Sequence, residues 1–154
     1  MIALLQRVRS ASVTVSGERI ADIQQGLLVL LAVEKKDDIH IAEQLAEKIL
    51  KYRVFADAED KMNLSVLDIR GAVLMVPQFT LAADTQKGLR PSFSKAASPE
   101  KGLAMFTQLI DIMRVKGESM VDNLAVEWLQ TGRFGADMAV ELHNDGPVTF
   151  YLTM

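Results

Sequence analysis

The chain has 154 residues, enough for one domain with a real core, since a chain this size buries roughly 70% of the surface its unfolded form exposes. Seventeen Lys and Arg against twenty Asp and Glu leave a net charge of −3, which excludes a globally basic protein and still permits a local basic patch. With no cysteine and only two histidines, His40 and His143, the chain cannot form disulfides, thiolate metal sites, a cysteine nucleophile or a three-histidine metal centre by itself.

From Ile2 to Val15 the residues are strand formers, and Ser12 to Ser16 alternate at period two. Gly17-Glu18 reads as a turn into Arg19–Ile23, after which Gly26 opens the apolar run Leu27–Val33. That run is continuous, which predicts a strand buried on both faces, and it is too short for a membrane span. Arg7 and Arg9 interrupt the N-terminal apolar stretch, unlike a signal peptide, so a cytoplasmic protein without a membrane partner is expected.

Asp37 and Asp38 are candidate caps for a helix through about Tyr52, whose apolar face is Ala42, Leu45, Ala46, Ile49 and Leu50. After a polar turn at Asp57–Lys61, strands are predicted at Leu64–Ile69 and Ala72–Leu81, with Pro77 at an edge or bulge because it has no N–H for a ladder. Ala83–Ala97 reads as a long loop, and Ser98-Pro99 as a capped helix start. Leu103, Phe106, Ile110 and Met113 supply that helix's apolar face, while Lys116–Glu127 suits a second helix or a loop equally. Ala136–His143 and Val148–Leu152 are predicted as two antiparallel strands around a turn at Asn144–Pro147. Strands outnumber helices without regular interleaving, which argues for an α+β fold in a single domain over residues 1–154.

No acidic pair, metal-ligand spacing or phosphate-binding glycine loop stands out, so any enzyme chemistry must rest on backbone groups, hydroxyls or the substrate. His40 is expected on an exposed helix turn, and His143 in a hydrogen-bonded structural role at a strand end. Four segments carry more information. In Pro77-Gln78-Phe79-Thr80-Leu81, a strand would turn Gln78 and Thr80 to one face and Phe79 to the other. The loop Asp84–Glu100 holds Lys87, Arg90 and Lys95 with no acid between its ends, beside Phe93, a pattern suited to phosphate and base contacts or to a merely solvated loop. Asn144-Asp145-Gly146-Pro147-Val148-Thr149 is a turn device, and Thr131–Met138 sets Phe134 between glycines, where it can meet a flat ligand.

Together with Met1–Val15 and Lys61-Met62-Asn63-Leu64, these segments resemble the D-aminoacyl-tRNA deacylase family. The resemblance spans essentially the whole chain and thins between about Lys101 and Glu127. Gln-Phe-Thr-Leu and Gly-Pro-Val-Thr are specific to the family in combination. Where the family usually has serine before Gln78, this chain has Pro77, so no role of that hydroxyl carries over.

The resemblance implies a barrel-like core of mixed and antiparallel sheets with helices packed outside. It also implies a homodimer that hydrolyses the ester of D-aminoacyl- or glycyl-tRNA, spares L-aminoacyl-tRNA, and uses no metal or other cofactor. Gln78, Phe79 and Thr80 are then the catalytic segment, acting through backbone N–H groups or, as an alternative, the Thr80 hydroxyl. Gly146-Pro147, in cis, would act as a chirality gate across the dimer, with Arg7 as its anchor. Phe134, Lys87, Arg90 and Lys95 would contact tRNA, and no DNA partner is expected. A non-catalytic homodimeric tRNA-binding module and a purely structural homodimer remain alternatives.

Overall fold

A computed structural model describes residues 1–86 and 88–154; Lys87 lies outside the described residues. β1 (Ile2–Val15), β2 (Glu18–Ile23) and β3 (Gly26–Ala32) form one long bent hairpin, with β1 antiparallel to both of its successors. Its two-residue turn has Ser16 at φ 50° and Gly17 at φ 82°. Positive φ at both positions gives the backbone twist that strands joined this tightly need.

After helix α1 (Ile39–Lys51) and the short strands β4 (Phe55–Ala56) and β5 (Met62–Leu64), β6 (Ala72–Pro77) returns to pair in parallel with β3. Helix α2 (Pro99–Met120) leads to β7 (Leu129–Thr131), parallel to β6, and the chain ends on β8 (Ala139–Thr153), antiparallel to β1. These pairings make a six-stranded mixed sheet. A side chain nearly closes it into a barrel: Asp22 N–H donates to Gln130 Oε1 at 2.8 Å, and Gln130 Nε2 donates to the Asp22 carbonyl at 2.6 Å. The Gln130 amide thus serves as a rung between β2 and β7.

Two apolar layers follow from the alternation along β3 and β6. Leu27, Val29, Leu31, Val73 and Met75 face α1 and α2, whereas Leu28, Leu74 and Val76 face the barrel interior with Val8, Val13 and Ile23. The predicted burial of β3 on both faces is therefore observed, and with it the α+β barrel with outside helices. At Gly26 any Cβ would overlap the Ala72 carbonyl oxygen, so only glycine allows β3 to begin this close to β6.

The helix starts match the sequence signals. Asp38 Oδ1 accepts from Ile41 N–H at 3.0 Å, and Ser98 Oγ accepts from Lys101 N–H at 3.3 Å. Asp37 does not cap; its buried carboxylate receives the Met1 α-amino group at 2.6 Å and Glu34 N–H at 2.7 Å.

Four expectations are corrected. Leu64–Ile69 is no strand: β5 stops at Leu64, and Asp68 Oδ2 accepts from both Ser65 N–H (2.7 Å) and Ser65 Oγ (2.6 Å), folding the segment into turns. β6 ends at Pro77 instead of reaching Leu81. β7 no longer flanks it there, Gln78 N–H makes the last bond to Leu31, and Phe79–Ala82 coils into a 3₁₀ turn. The two C-terminal strands are one: residues on both sides of Gly146 pair antiparallel with β1, and 145–148 bulge out opposite Arg7. His143 consequently sits exposed within β8, opposite Ser10, with no side-chain hydrogen bond among the described residues. Lys116–Glu127 resolves into the end of α2 and a turn that brings Trp128 back against Gly117, where a Cβ would lie 2.5 Å from the indole.

Candidate active site

The carboxyl ends of the parallel strands β3 and β6 open on a cleft of about 610 Å³. Leu31, Val33, Val76 and Pro77 form its floor, Gln78 and Phe79 one wall, and Gly102, Phe106, Phe134 and Met138 line it as well. The lining is mainly apolar with few polar groups, the usual character of a small-ligand site.

Pro77 sets the geometry of the first wall. Gln78 sits at φ −144°, ψ 75°, outside both the helical and the extended regions, and the chain then enters the 3₁₀ turn. Phe79 N–H and Thr80 N–H lead that turn and have no acceptor among the described residues. Gln78 Nε2 donates to Thr80 Oγ1 at 2.5 Å, so the two side chains meet through a local i, i+2 bond and not on the strand face expected for them. Phe79 is 59% exposed and leans on Phe93 of the following loop, ring centroids 5.2 Å apart.

On the opposite side Phe134 packs near Phe106, ring centroids 6.3 Å apart and planes tilted by 50°, and touches α2 where Gly102 leaves room; a Cβ there would lie 3.0 Å from its ring. Arg90 and Lys95 are exposed on the loop beyond the cleft and line no part of it. Glu100, at the start of α2, has its carboxyl held below the ordinary 4.5 by its own backbone N–H and then by the Ser98 hydroxyl.

The family profile described as D-Tyr-tRNA(Tyr) deacylase matches residues 4–153. Proteins named D-aminoacyl-tRNA deacylase from Escherichia coli O1:K1 / APEC and from Shigella boydii serotype 18 are each 55% identical over 152 residues, covering 99% of both chains. The chain belongs to the D-Tyr-tRNA(Tyr) deacylase family. A solved structure titled "c-Myc DNA Unwinding Element Binding Protein" superimposes with a TM-score of 0.91 at 37% identity, covering 100% of this chain and 99% of that one. A second, titled as a probable eukaryotic D-amino acid tRNA deacylase, shares the fold with a TM-score of 0.82 at 18% identity, covering 98% of this chain and 97% of that one.

In this deacylase-family chain Gly146 and Pro147 are joined by a cis bond and exposed on the bulge of β8, and neither lines the cleft. Arg7 reaches the bulge: Nε donates to the Asp145 carbonyl at 3.1 Å, while Nη1 donates to the Val54 carbonyl at 2.6 Å. Sequence reasoning missed the rest of this mesh. Asp145 also pairs with Arg7 at 3.3 Å and Arg9 at 3.1 Å, Asn144 Oδ1 accepts from Val148 N–H at 2.9 Å, and Gln6 and Asn144 both donate to Thr149 Oγ1. The signal that could have found it is the density of Asn, Asp and Thr around the glycine, residue types that hydrogen-bond local backbone. Gly102, Phe106 and Met138 were missed as cleft residues because they read as helix face or strand entry.

Proposed function

We propose that the protein hydrolyses the ester joining a D-amino acid or glycine to the terminal adenosine of tRNA, sparing L-aminoacyl esters. The observation that carries the reading is the pair of N–H groups, of Phe79 and Thr80, without acceptors among the described residues beside an apolar cleft in a chain of this family. Water attacks the ester carbonyl, the oxygen gains negative charge, and the two N–H groups stabilise it. The bond to the ribose oxygen then breaks, that oxygen takes a proton, and the amino acid leaves as a carboxylate. One preorganised donor of this kind contributes ~3–4 kcal/mol to the transition state. The neighbouring ribose hydroxyl helps activate the water. Phe134 stacks on the terminal adenine, a contact of ~1–3 kcal/mol, while Arg90 and Lys95, with Lys87 of the same loop, meet tRNA phosphates.

The protein acts as a homodimer in the cytoplasm, and Gly146-Pro147 of one subunit enters the cleft of the other. Backbone beside the substrate α-carbon rejects an L side chain by collision, and glycine has nothing to collide. The test is single-turnover hydrolysis of D-alanyl-, glycyl- and L-alanyl-tRNA, with and without EDTA at constant free magnesium. The first two esters should be cleaved and the third spared, and chelation of transition metals should not matter because the chain offers no cysteine and only two separated histidines. Sparing of glycyl-tRNA as complete as that of L-alanyl-tRNA would overturn the backbone gate. Binding of tRNA with no hydrolysis would return the protein to a binding module.

A further inference from the structure

Basic residues gather where the turn after β3 meets the start of α2. Lys35 N–H donates to the Lys95 carbonyl at 3.0 Å, Glu34 and Ala96 form an antiparallel bridge, and Lys101 Nζ donates to the Lys35 carbonyl at 2.6 Å. These bonds tie Lys35, Lys95 and Lys101 to one another, and Lys36 follows Lys35 in the same turn. Lys35, Lys36 and Lys95 are exposed and Lys101 is half-buried, and none of the four lies within ion-pair distance of a carboxylate among the described residues.

The nearby acids are engaged elsewhere. Glu34 and Asp37 face the Met1 amino group at 3.6 and 2.6 Å, and Asp38 caps α1. The Glu100 carboxyl is held below its ordinary range, chiefly by its own backbone N–H and then by the Ser98 hydroxyl. A chain of net charge −3 therefore presents here a cluster of lysines whose ammonium groups form no direct ion pair among the described residues. The cluster also adjoins the cleft, since Ala96, Ala97, Ser98 and Gly102 line it and Gly102 touches Phe134.

We infer that Lys35, Lys36 and Lys101 bind backbone phosphates of the tRNA acceptor strand on the 5′ side of the terminal adenosine. The inference rests on the tRNA-deacylase reading, because a base against Phe134 puts the preceding phosphates within reach of the first turn of α2. Lys101 keeps two ammonium donors after bonding to Lys35, and the bonds among these residues lower the ordering cost of binding. Phosphate contacts of this kind set register and carry no sequence information.

The test is the salt dependence of binding of uncharged tRNA to the full chain, by filter retention over a KCl series. Each lost phosphate contact lowers the log–log slope by about 0.7–0.9. Lys35→Ala/Lys36→Ala should therefore lower it by one to two such steps, and adding Lys101→Ala by one more. The corresponding Lys→Arg variants should keep the wild-type slope, and so should Lys61→Ala on the distant β4–β5 turn. The double variant leaves the Lys101 bond intact and guards against misfolding of the triple. Wild-type slopes in both variants would overturn the inference. Equal affinity and an equal slope loss for a DNA duplex would overturn it too, in favour of a general polyanion surface. Wild-type release of amino acid from D-aminoacyl-tRNA is measured in parallel; its failure alone would sink the deacylase reading and leave the slope result standing.

Discussion

Thr80 tests whether the chemistry belongs to a side chain or to the backbone. Its hydroxyl faces the Gln78 amide, and in either orientation that amide offers no base: the NH₂ end only donates, and the carbonyl end is too weakly basic to take a proton. A nucleophilic role is therefore unsupported by its surroundings, and Thr80→Ala should lower kcat/KM by less than about tenfold. Loss of a true nucleophile would cost more than ~10⁴-fold. The complementary pair is Phe79→Pro against Phe79→Ala. Both remove the ring, and only proline removes the N–H, at the first position of a turn, where proline is tolerated, and the preceding Gln78 is already outside the helical region. Single-turnover rates should differ by about 10²–10³-fold between these two variants, the usual effect of one oxyanion donor. Equal rates would remove the Phe79 N–H from the mechanism.

At the scale of elements, the segment after β5 shows how local polar bonds override strand propensity. Ser65-Val66-Leu67 is apolar enough to read as strand, yet the Asp68 carboxylate takes the Ser65 N–H and hydroxyl and holds a turn, which also holds its pKa below the ordinary 3.8. A folded-state pKa lowered in this way adds stability above the unfolded value, and that stability is lost as pH falls through the lower folded value. Asp68→Ala should lower stability by about 1 kcal/mol near neutral pH. That is ~2–4 °C in Tm, and the difference from wild type should shrink in melts taken below pH 3.8. A difference independent of pH would mean the carboxylate charge is not what holds the turn. The same competition explains what was legible elsewhere. Helix caps and the two-sided burial of β3 follow from nearest neighbours and periodicity, so the sequence carries them openly. The 3₁₀ turn after Pro77, the docking of Trp128 on Gly117 and the continuity of β8 depend on partners far along the chain. Gly146-Pro147 looked like a hairpin tip because a bulge and a turn use the same residues, and only the pairing of both flanks with β1 separates them. Gln78–Thr80 and Phe134 stood out only through family resemblance, whereas their residues alone suited a half-buried strand and a strand-entry loop as readily.

At the scale of the whole molecule, the Gly146-Pro147 bulge does not line the cleft of the same chain, which leaves open where the proposed gate acts. In a two-fold dimer each cleft would be completed by the other chain, and the arrangement is symmetric. Mixed dimers turn this into a measurement. A Phe79→Pro chain has a disabled cleft and an intact gate. A Gly146→Ala chain has an intact cleft and a disturbed gate, since its Cβ would lie 2.6 Å from Val148 Cγ2 and 3.2 Å from the Arg7 guanidinium, at a φ of 133°. Alone, the first should be inactive, and the second should have lost activity or discrimination between D- and L-alanyl-tRNA. If the gate acts in trans, a mixed dimer holds one site with both defects and one with neither. Refolding the Gly146→Ala chain with an excess of the inactive Phe79→Pro chain should then restore whichever property was lost, at about one intact site per mixed dimer. If the gate acts within its own subunit, every working cleft keeps its disturbed gate and the inactive chain restores nothing. A ratio of D- to L-ester hydrolysis that stays flat as the inactive chain is titrated in, with mixed dimers verified by mass, would place the gate in cis.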